Sequence, residues 1–243
     1  MDHAHYERRL SALQRELSLL QTSYVKRGYR GVVVLEGWDA AGKGGLVRRM
    51  GWCVDPRYFR VWSIGAPKDH ERREHWIKRF WDKIPEDGNI AVFDRSWYGR
   101  VLVERIEGYA EENDWRRAYA EIAAFEQTLT DEGYRLVKLF LDISPETQLR
   151  RFQERFANPE KRWKITEEDL RNRARWHLYQ EAYAEMLEKT SGASAPWLRL
   201  DGNHKRKLRL QAFQAIIEGL GNGVEVHEPQ VSPLLEAFFQ EPG

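Results

Sequence analysis

A chain of 243 residues, 42% hydrophobic and 32% charged, has the length of one α/β domain, or one domain with an inserted subdomain, and enough apolar content for a core. Its formal net charge of +1 gives no electrostatic footprint for nucleic acid. The single cysteine, Cys53, excludes an intrachain disulfide and a cysteine metal cluster, and reads as a small core residue.

The polar N-terminus has no apolar h-region and no apolar run approaches a membrane span. The expectation is a cytoplasmic protein without a membrane partner. Leu10, Leu13, Leu17, Leu20 and Tyr24 predict an amphipathic helix over residues 5–28, ended by Gly28, that docks on the body or on a second subunit. Residues 31–36 form the first predicted strand. A glycine-rich loop follows, then a helix from about Gly44 to Cys53. Residues 58–64 predict a second strand, 68–83 a charged helix, and 90–94 a third strand. Helix is predicted over 114–131, and a fourth strand over 136–143. Ser144 and Pro145 fit the N-cap and first position of a further helix. Thr166 with Asp169 opens a long helix over 167–189, close to a capping box. Residues 197–200 give a fifth strand and 203–220 a last helix. Strands alternating with helices imply a doubly wound parallel sheet. The expected organisation is a helical extension (1–30), a core (31–220) with an insertion at about 150–175, and a tail (221–243). The tail has four glutamates, no Lys or Arg, and Pro229, Pro233 and Pro242. It is expected to be loosely held, with Leu234, Leu235, Phe238 and Phe239 available to dock on a neighbour.

The chemistry concentrates in Gly37-Trp38-Asp39-Ala40-Ala41-Gly42-Lys43-Gly44-Gly45, set between strand and helix. A G-x-x-x-x-G-K loop in that context cradles phosphates on its backbone N–H groups. Gly44 stands where Ser or Thr would usually offer Mg²⁺ a hydroxyl, and Asp39 lies inside the loop. A carboxylate beside phosphates is repulsive unless a divalent cation separates them, so Asp39 is a candidate metal ligand. Asp94 ends the third strand and supplies a second candidate. Arg95, next in sequence, can grip an anionic acceptor or a phosphoryl group in transit. The bland alternatives are a glycine-rich turn, a strand-end cap and, for Glu104 with Arg105, a surface ion pair.

From Arg150 to Arg175 there are nine Lys or Arg against five acids, +4 in a chain of net +1. Asn158-Pro159 breaks this stretch, which predicts a helical hairpin after the fourth strand. Either a solvated face or a basic arm for a polyanion accounts for the excess.

These residues resemble the polyphosphate kinase type 2 family. The likeness is carried by Glu36 to Gly45, by Phe93-Asp94-Arg95-Ser96-Trp97-Tyr98, and by Arg162-Trp163-Lys164-Ile165-Thr166 with Asp169, Trp176 and Tyr179. Pro196-Trp197 with Asn203, Lys205 and Arg206 is similar to the last strand and helix of that family. The run Trp97 to Gly108 is similar to its AMP-phosphorylating branch, which often carries two such units in one chain; this chain carries one. The resemblance implies a P-loop kinase three-layer αβα fold with a five-stranded parallel sheet and a helical lid. It also implies Mg²⁺-dependent (or Mn²⁺-dependent) phosphoryl transfer between inorganic polyphosphate and an adenine nucleotide, AMP to ADP first, ADP to ATP as the alternative. A homo-oligomer, dimer or tetramer, is expected.

The resemblance further implies that Asp39, Lys43, Asp94 and Arg95 are catalytic, with Asp39 and Asp94 on the metal. Arg151, Arg155, Lys161, Lys164 and Arg175 look like lid residues on the polyphosphate. Ala66, Pro67, Arg95, Tyr98, Arg100 and Glu104 look like the acceptor side. Two rivals stay open on the residues alone. One is an ATP-dependent nucleotide kinase of the thymidylate-kinase type, the other a polyanion-binding module without turnover.

Overall fold

The computed structural model describes residues 2–226 and 231–240. Pro229 and Pro242 of the predicted tail lie outside the described residues. Strands β1 (Gly31–Gly37), β2 (Phe59–Ser63), β3 (Ile90–Asp94), β4 (Arg135–Asp142) and β5 (Trp197–Asp201) form one sheet in the order β2-β3-β1-β4-β5. Every pairing is parallel. All seven residues of central β1 are buried, as its unbroken apolar run requires. Because β1 lies between β3 and β4, the chain leaves it in opposite directions. That places a crevice at its carboxyl end, where Glu36 and Gly37 meet the loop.

The helices are α1 (His3–Arg27), α2 (Lys43–Gly51), α3 (Lys78–Trp81), α4 (Val103–Ile106), α5 (Glu112–Asp131), α6 (Pro145–Ala157), α7 (Glu167–Ala174), α8 (Trp176–Lys189), α9 (Lys205–Gly221) and α10 (Pro233–Gln240). Adjacent β4 residues point to opposite faces of the sheet. Gly219 of α9 abuts Val137, so closely that a Cβ there would lie 2.5 Å from the valine side chain. Lys138 instead meets Glu126 of α5. Helices therefore cover both faces and the expected three layers are present.

Helix α1 ends at Gly28, whose φ of 70° suits glycine. Its apolar stripe is covered by this same chain: α1 packs on α9, and the Tyr24 hydroxyl donates to the Leu220 carbonyl at 2.7 Å. Docking on the body is thus the alternative realised. Ser144 caps α6 by accepting from the Thr147 N–H, and Thr166 with Asp169 forms the full capping box of α7.

Two expectations are corrected. Residues 68–83 form a 3₁₀ turn at Glu71–Arg73 and the short α3, not one helix. There the Glu71 carboxylate accepts from the Lys68 N–H and Arg79 donates to the Gly65 carbonyl, side-chain bonds that compete with helical ones. The stretch 167–189 breaks at Arg175 into α7 and α8, where the arginine side chain reaches the Ile106 carbonyl and Glu107. The tail folds a helix, α10, that leaves Leu234, Leu235, Phe238 and Phe239 exposed. No helix among the described residues is long and apolar enough to cross a membrane.

Candidate active site

The loop after β1 is shaped by its backbone. Gly37 has φ 127°, and a Cβ on it would lie 2.1 Å from the Leu141 carbonyl oxygen, so no other residue fits. Lys43 opens α2 and folds back over the loop, donating to the Gly37 and Trp38 carbonyls at 2.6 and 3.1 Å. Trp38 stacks on Trp176 with ring centroids 3.5 Å apart and planes 1° from parallel, and its Nε1 donates to Asp142. Nothing lies within 4 Å of the Cβ position of Gly44. The missing hydroxyl is therefore not excluded by crowding, and that flank of the loop stays open to a ligand.

Asp39 is held on both oxygens. Arg95 Nη2 donates to Oδ1 at 2.8 Å and Asn172 Nδ2 to Oδ2 at 2.9 Å. Burial alone would raise its pKa; the charges of Arg95 and Lys43 and these hydrogen bonds outweigh it and hold the carboxyl below its usual range. Arg95 occupies the left-handed region at φ 63°, an uncommon place for a non-glycine residue and one that marks functional sites. Its N–H donates to the Leu35 carbonyl, and its side chain also faces Glu168 at 3.4 Å. Asp94, half-buried at the end of β3, differs: its carboxylate has no hydrogen bond or ion pair to the described residues.

Glu36 is a buried acid in the same cleft, accepting from Ser96 Oγ at 2.8 Å. Burial pushes its pKa up to about 7, against the pull of Lys43, the Ser96 bond and Arg95, and with the help of Asp94. Between about 4.5 and about 7 the folded chain keeps a proton that the unfolded chain has released. Stability therefore falls as pH rises through that window. Glu36→Gln removes this slope, and above the window the variant is more stable than the parent by on the order of 3 kcal/mol. Urea titrations of both proteins at about pH 5 and about pH 8 check this; a stability difference that does not change with pH rejects it.

A cleft of about 140 Å³ brings Gly37, Trp38, Asp39, Ala66, Arg95 and Glu104 together. A second cavity of about 580 Å³, sharing Arg79, Glu104 and Tyr109 with the first, takes Pro67 and Arg100. Tyr98 is in neither: it is fully buried, with its hydroxyl donating to Glu126 at 2.7 Å. Arg151 is likewise not on the basic surface. It is 2% exposed and donates to the carbonyls of Ala40, Ala41, Gly202 and Asn203, a strut beneath the loop. Arg155 donates to the Lys164 carbonyl. Burial lowers the Lys164 pKa and the charges of Arg48, Arg155 and Lys161 lower it further. Arg48 of α2 thus joins the predicted basic arm. Arg175 pairs with Glu107 at 2.7 Å, at the break between α7 and α8.

Sequence reasoning missed Asn172, Glu168 and Arg79 in the cleft. Glu168 and Arg79 belonged to charge runs that gave no sign of direction, and Asn172 carried no signal at all. Among the described residues no group of three or more His, Cys, Asp or Glu is arranged to hold a metal.

The sequence matches the polyphosphate kinase 2 family over residues 1–227. It is 47% identical to a polyphosphate:AMP phosphotransferase of Pseudomonas syringae pv. tomato, over 88% of this chain and 43% of that protein. It is 39% identical to ADP-polyphosphate phosphotransferase 3 of Rhizobium meliloti, over 89% of this chain and 76% of that one. Among solved structures, polyphosphate kinase 2 from Arthrobacter aurescens superposes with a TM-score of 0.87 at 33% identity, over 95% of this chain and 83% of that chain. The chain spans less than half the length of the AMP-named relative. With the family matched over nearly all of its length and the loop, Asp39 and Arg95 gathered in one cleft, the chain belongs to the polyphosphate kinase 2 family.

Proposed function

We propose that the chain transfers a phosphoryl group from inorganic polyphosphate to AMP, giving ADP and a polyphosphate one unit shorter. The observation that carries this reading is the meeting of Gly37, Trp38 and Asp39 of the loop with Arg95 in one cleft. The basic cluster of Arg48, Arg155, Lys161 and Lys164 adds to it. A linear polyanion offers no base to recognise, so a run of cations is the chemistry that suits it. The name of the relative at 47% identity supports AMP as acceptor. Phosphoryl transfer asks the protein mostly for positioning and charge neutralisation. Lys43 exchanges its loop carbonyls for donor phosphate oxygens. Arg95 leaves Asp39 to grip the phosphoryl group, and the segment from Asn158 to Arg175 folds over the cleft to exclude water. Ala66, Pro67, Arg100 and Glu104 form the acceptor side.

Asp39 and Asp94 would hold Mg²⁺. They fit it: both are hard oxygen donors, the Asp94 carboxylate has no hydrogen bond or ion pair to the described residues, and Mg²⁺ is commonly bound by one or two carboxylates plus substrate phosphates. When bound, the ion would supply positive charge to neutralise the phosphates. The same reading sets the protein in the cytosol, as an oligomer without nucleic-acid partners.

The test is product analysis with polyphosphate and Mg²⁺, offering AMP and ADP separately and ATP as a control donor. ADP from AMP and polyphosphate is the expected result. ATP made only from ADP overturns the acceptor. Transfer from ATP alone replaces the proposal with an ordinary nucleotide kinase.

A further inference from the structure

Helix α7 buries none of its residues, so apolar packing does not fix its position. What holds it is a set of polar bonds aimed at the catalytic groups. Asn172 Nδ2 donates to Asp39 Oδ2 at 2.9 Å. The Tyr179 hydroxyl, from buried Tyr179 on α8, donates to Asn172 Oδ1 at 3.0 Å. Arg173 donates to the Pro145 carbonyl at 2.7 Å and to Gln148 Oε1 at 3.2 Å, and Gln148 in turn donates to the Asp39 carbonyl at 3.2 Å. Glu168 faces Arg95 at 3.4 Å. The two bonds on Asn172 agree with each other: its amide oxygen accepts from the phenol and its NH₂ donates to the carboxylate. The amide therefore has one orientation, set from α8, and it presents a donor to the loop.

We infer that Asn172 is the positioning residue for the Asp39 carboxylate and that Tyr179 fixes the Asn172 amide. The inference rests on the reading of the cleft as a phosphotransfer site. Asp39 Oδ1 already carries the Arg95 guanidinium. A second cation on Oδ2 would saturate the carboxylate, and an acid at position 172 would repel it. A neutral donor orients Oδ2 without cancelling its charge, so a substrate-borne cation can still take it. The same bond makes the carboxylate sense where α7 lies. The rotamer of Asp39 and the docking of α7 are one equilibrium, with Tyr179 as its fixed end. Glu168 occupies on Arg95 the place of an anionic oxygen, which a substrate phosphate would take while Asn172 stays on Asp39.

The experiment has two arms on the full chain. The first needs no turnover: hydrogen exchange without substrate or added metal, comparing the parent with Asn172→Ala and Tyr179→Phe. Loss of the tether speeds exchange of the α7 amides by about tenfold in Asn172→Ala, and less in Tyr179→Phe, with β1 and β3 unchanged. The second is kinetic: Asn172→Ala lowers kcat by about tenfold, with KM for the nucleotide within about twofold. The double variant Asn172→Ala/Tyr179→Phe is no slower than Asn172→Ala, because both changes cut one chain of bonds. Unchanged α7 exchange in Asn172→Ala overturns the inference whatever the activity, and so do rate losses that add in the double variant. Failure of the parent to use polyphosphate sinks the functional reading instead, and the exchange arm separates the two. Tyr179→Phe keeps the ring and its burial, so the proposal stays testable if Asn172→Ala folds poorly.

Discussion

Asp94→Asn lowers kcat by on the order of a thousandfold or more and leaves the fold intact. The two halves of that result come from one fact: the Asp94 carboxylate has no hydrogen bond or ion pair to the described residues. Asparagine keeps the shape and the backbone, and the β1–β3 ladder pairs Asp94 through Leu35. No buried partner is orphaned, so thermal stability moves by no more than a few degrees. What is lost is negative charge at the carboxyl end of the sheet, where the cation and phosphates would meet. Asp39→Asn is a poorer test, since it also disrupts the Arg95 and Asn172 bonds. Single-turnover kinetics with a melting curve decides the matter. Near-normal turnover removes Asp94 from the mechanism, and a collapsed melting temperature makes it structural.

The second large effect is on stability, at a place the chemistry does not touch. Lys138→Met costs about 3–5 kcal/mol, because it leaves the Glu126 carboxylate buried without its cation. Lys138 is fully buried and spends all three of its donors: on Glu126 at 2.6 Å, the Thr190 carbonyl at 2.6 Å and the Tyr98 hydroxyl at 3.0 Å. Glu126 also accepts from Trp97 Nε1 and the Tyr98 hydroxyl. Burial lowers the Lys138 pKa and the Glu126 charge restores part of the loss. Adding Glu126→Gln to Lys138→Met recovers much of the stability, since a neutral amide tolerates the site better than an unpaired charge. Urea unfolding of the two singles and the double measures the coupling; strictly additive costs would show that the pair does not act as a unit. Activity should fall with the single change too, since the network anchors Trp97 and Tyr98 directly after Arg95.

The strands were legible where burial on both faces left no choice of residue. β1, β3 and β4 are apolar runs, and β3 falls at residues 90–94 as predicted. Lys138, a charge within the apolar β4, is half of an interior ion pair; pattern alone cannot show that its partner lies on α5. The glycine-rich loop was legible because glycine at positive φ and a close backbone approach leave a mark in the sequence. The direction of side chains was not. Tyr98 sits three residues from Arg95, yet the 3₁₀ turn over Trp97–Arg100 turns it into the core. Arg151 belonged to a run of charges, and only the fold reveals that it points under the loop. The break at Arg175 depends on Ile106 and Glu107, far away in sequence, and so does the placement of Asn172 against Asp39.

The face-to-face indoles of Trp38 and Trp176 have an optical consequence. Two identical chromophores 3.5 Å apart with planes 1° from parallel are close enough for their excited states to couple, so their optical signal depends on the stack. Trp38 sits inside the glycine-rich loop and Trp176 begins α8. The chain thus holds a native reporter at its glycine-rich loop, readable without label, that changes when either ring slides off the other.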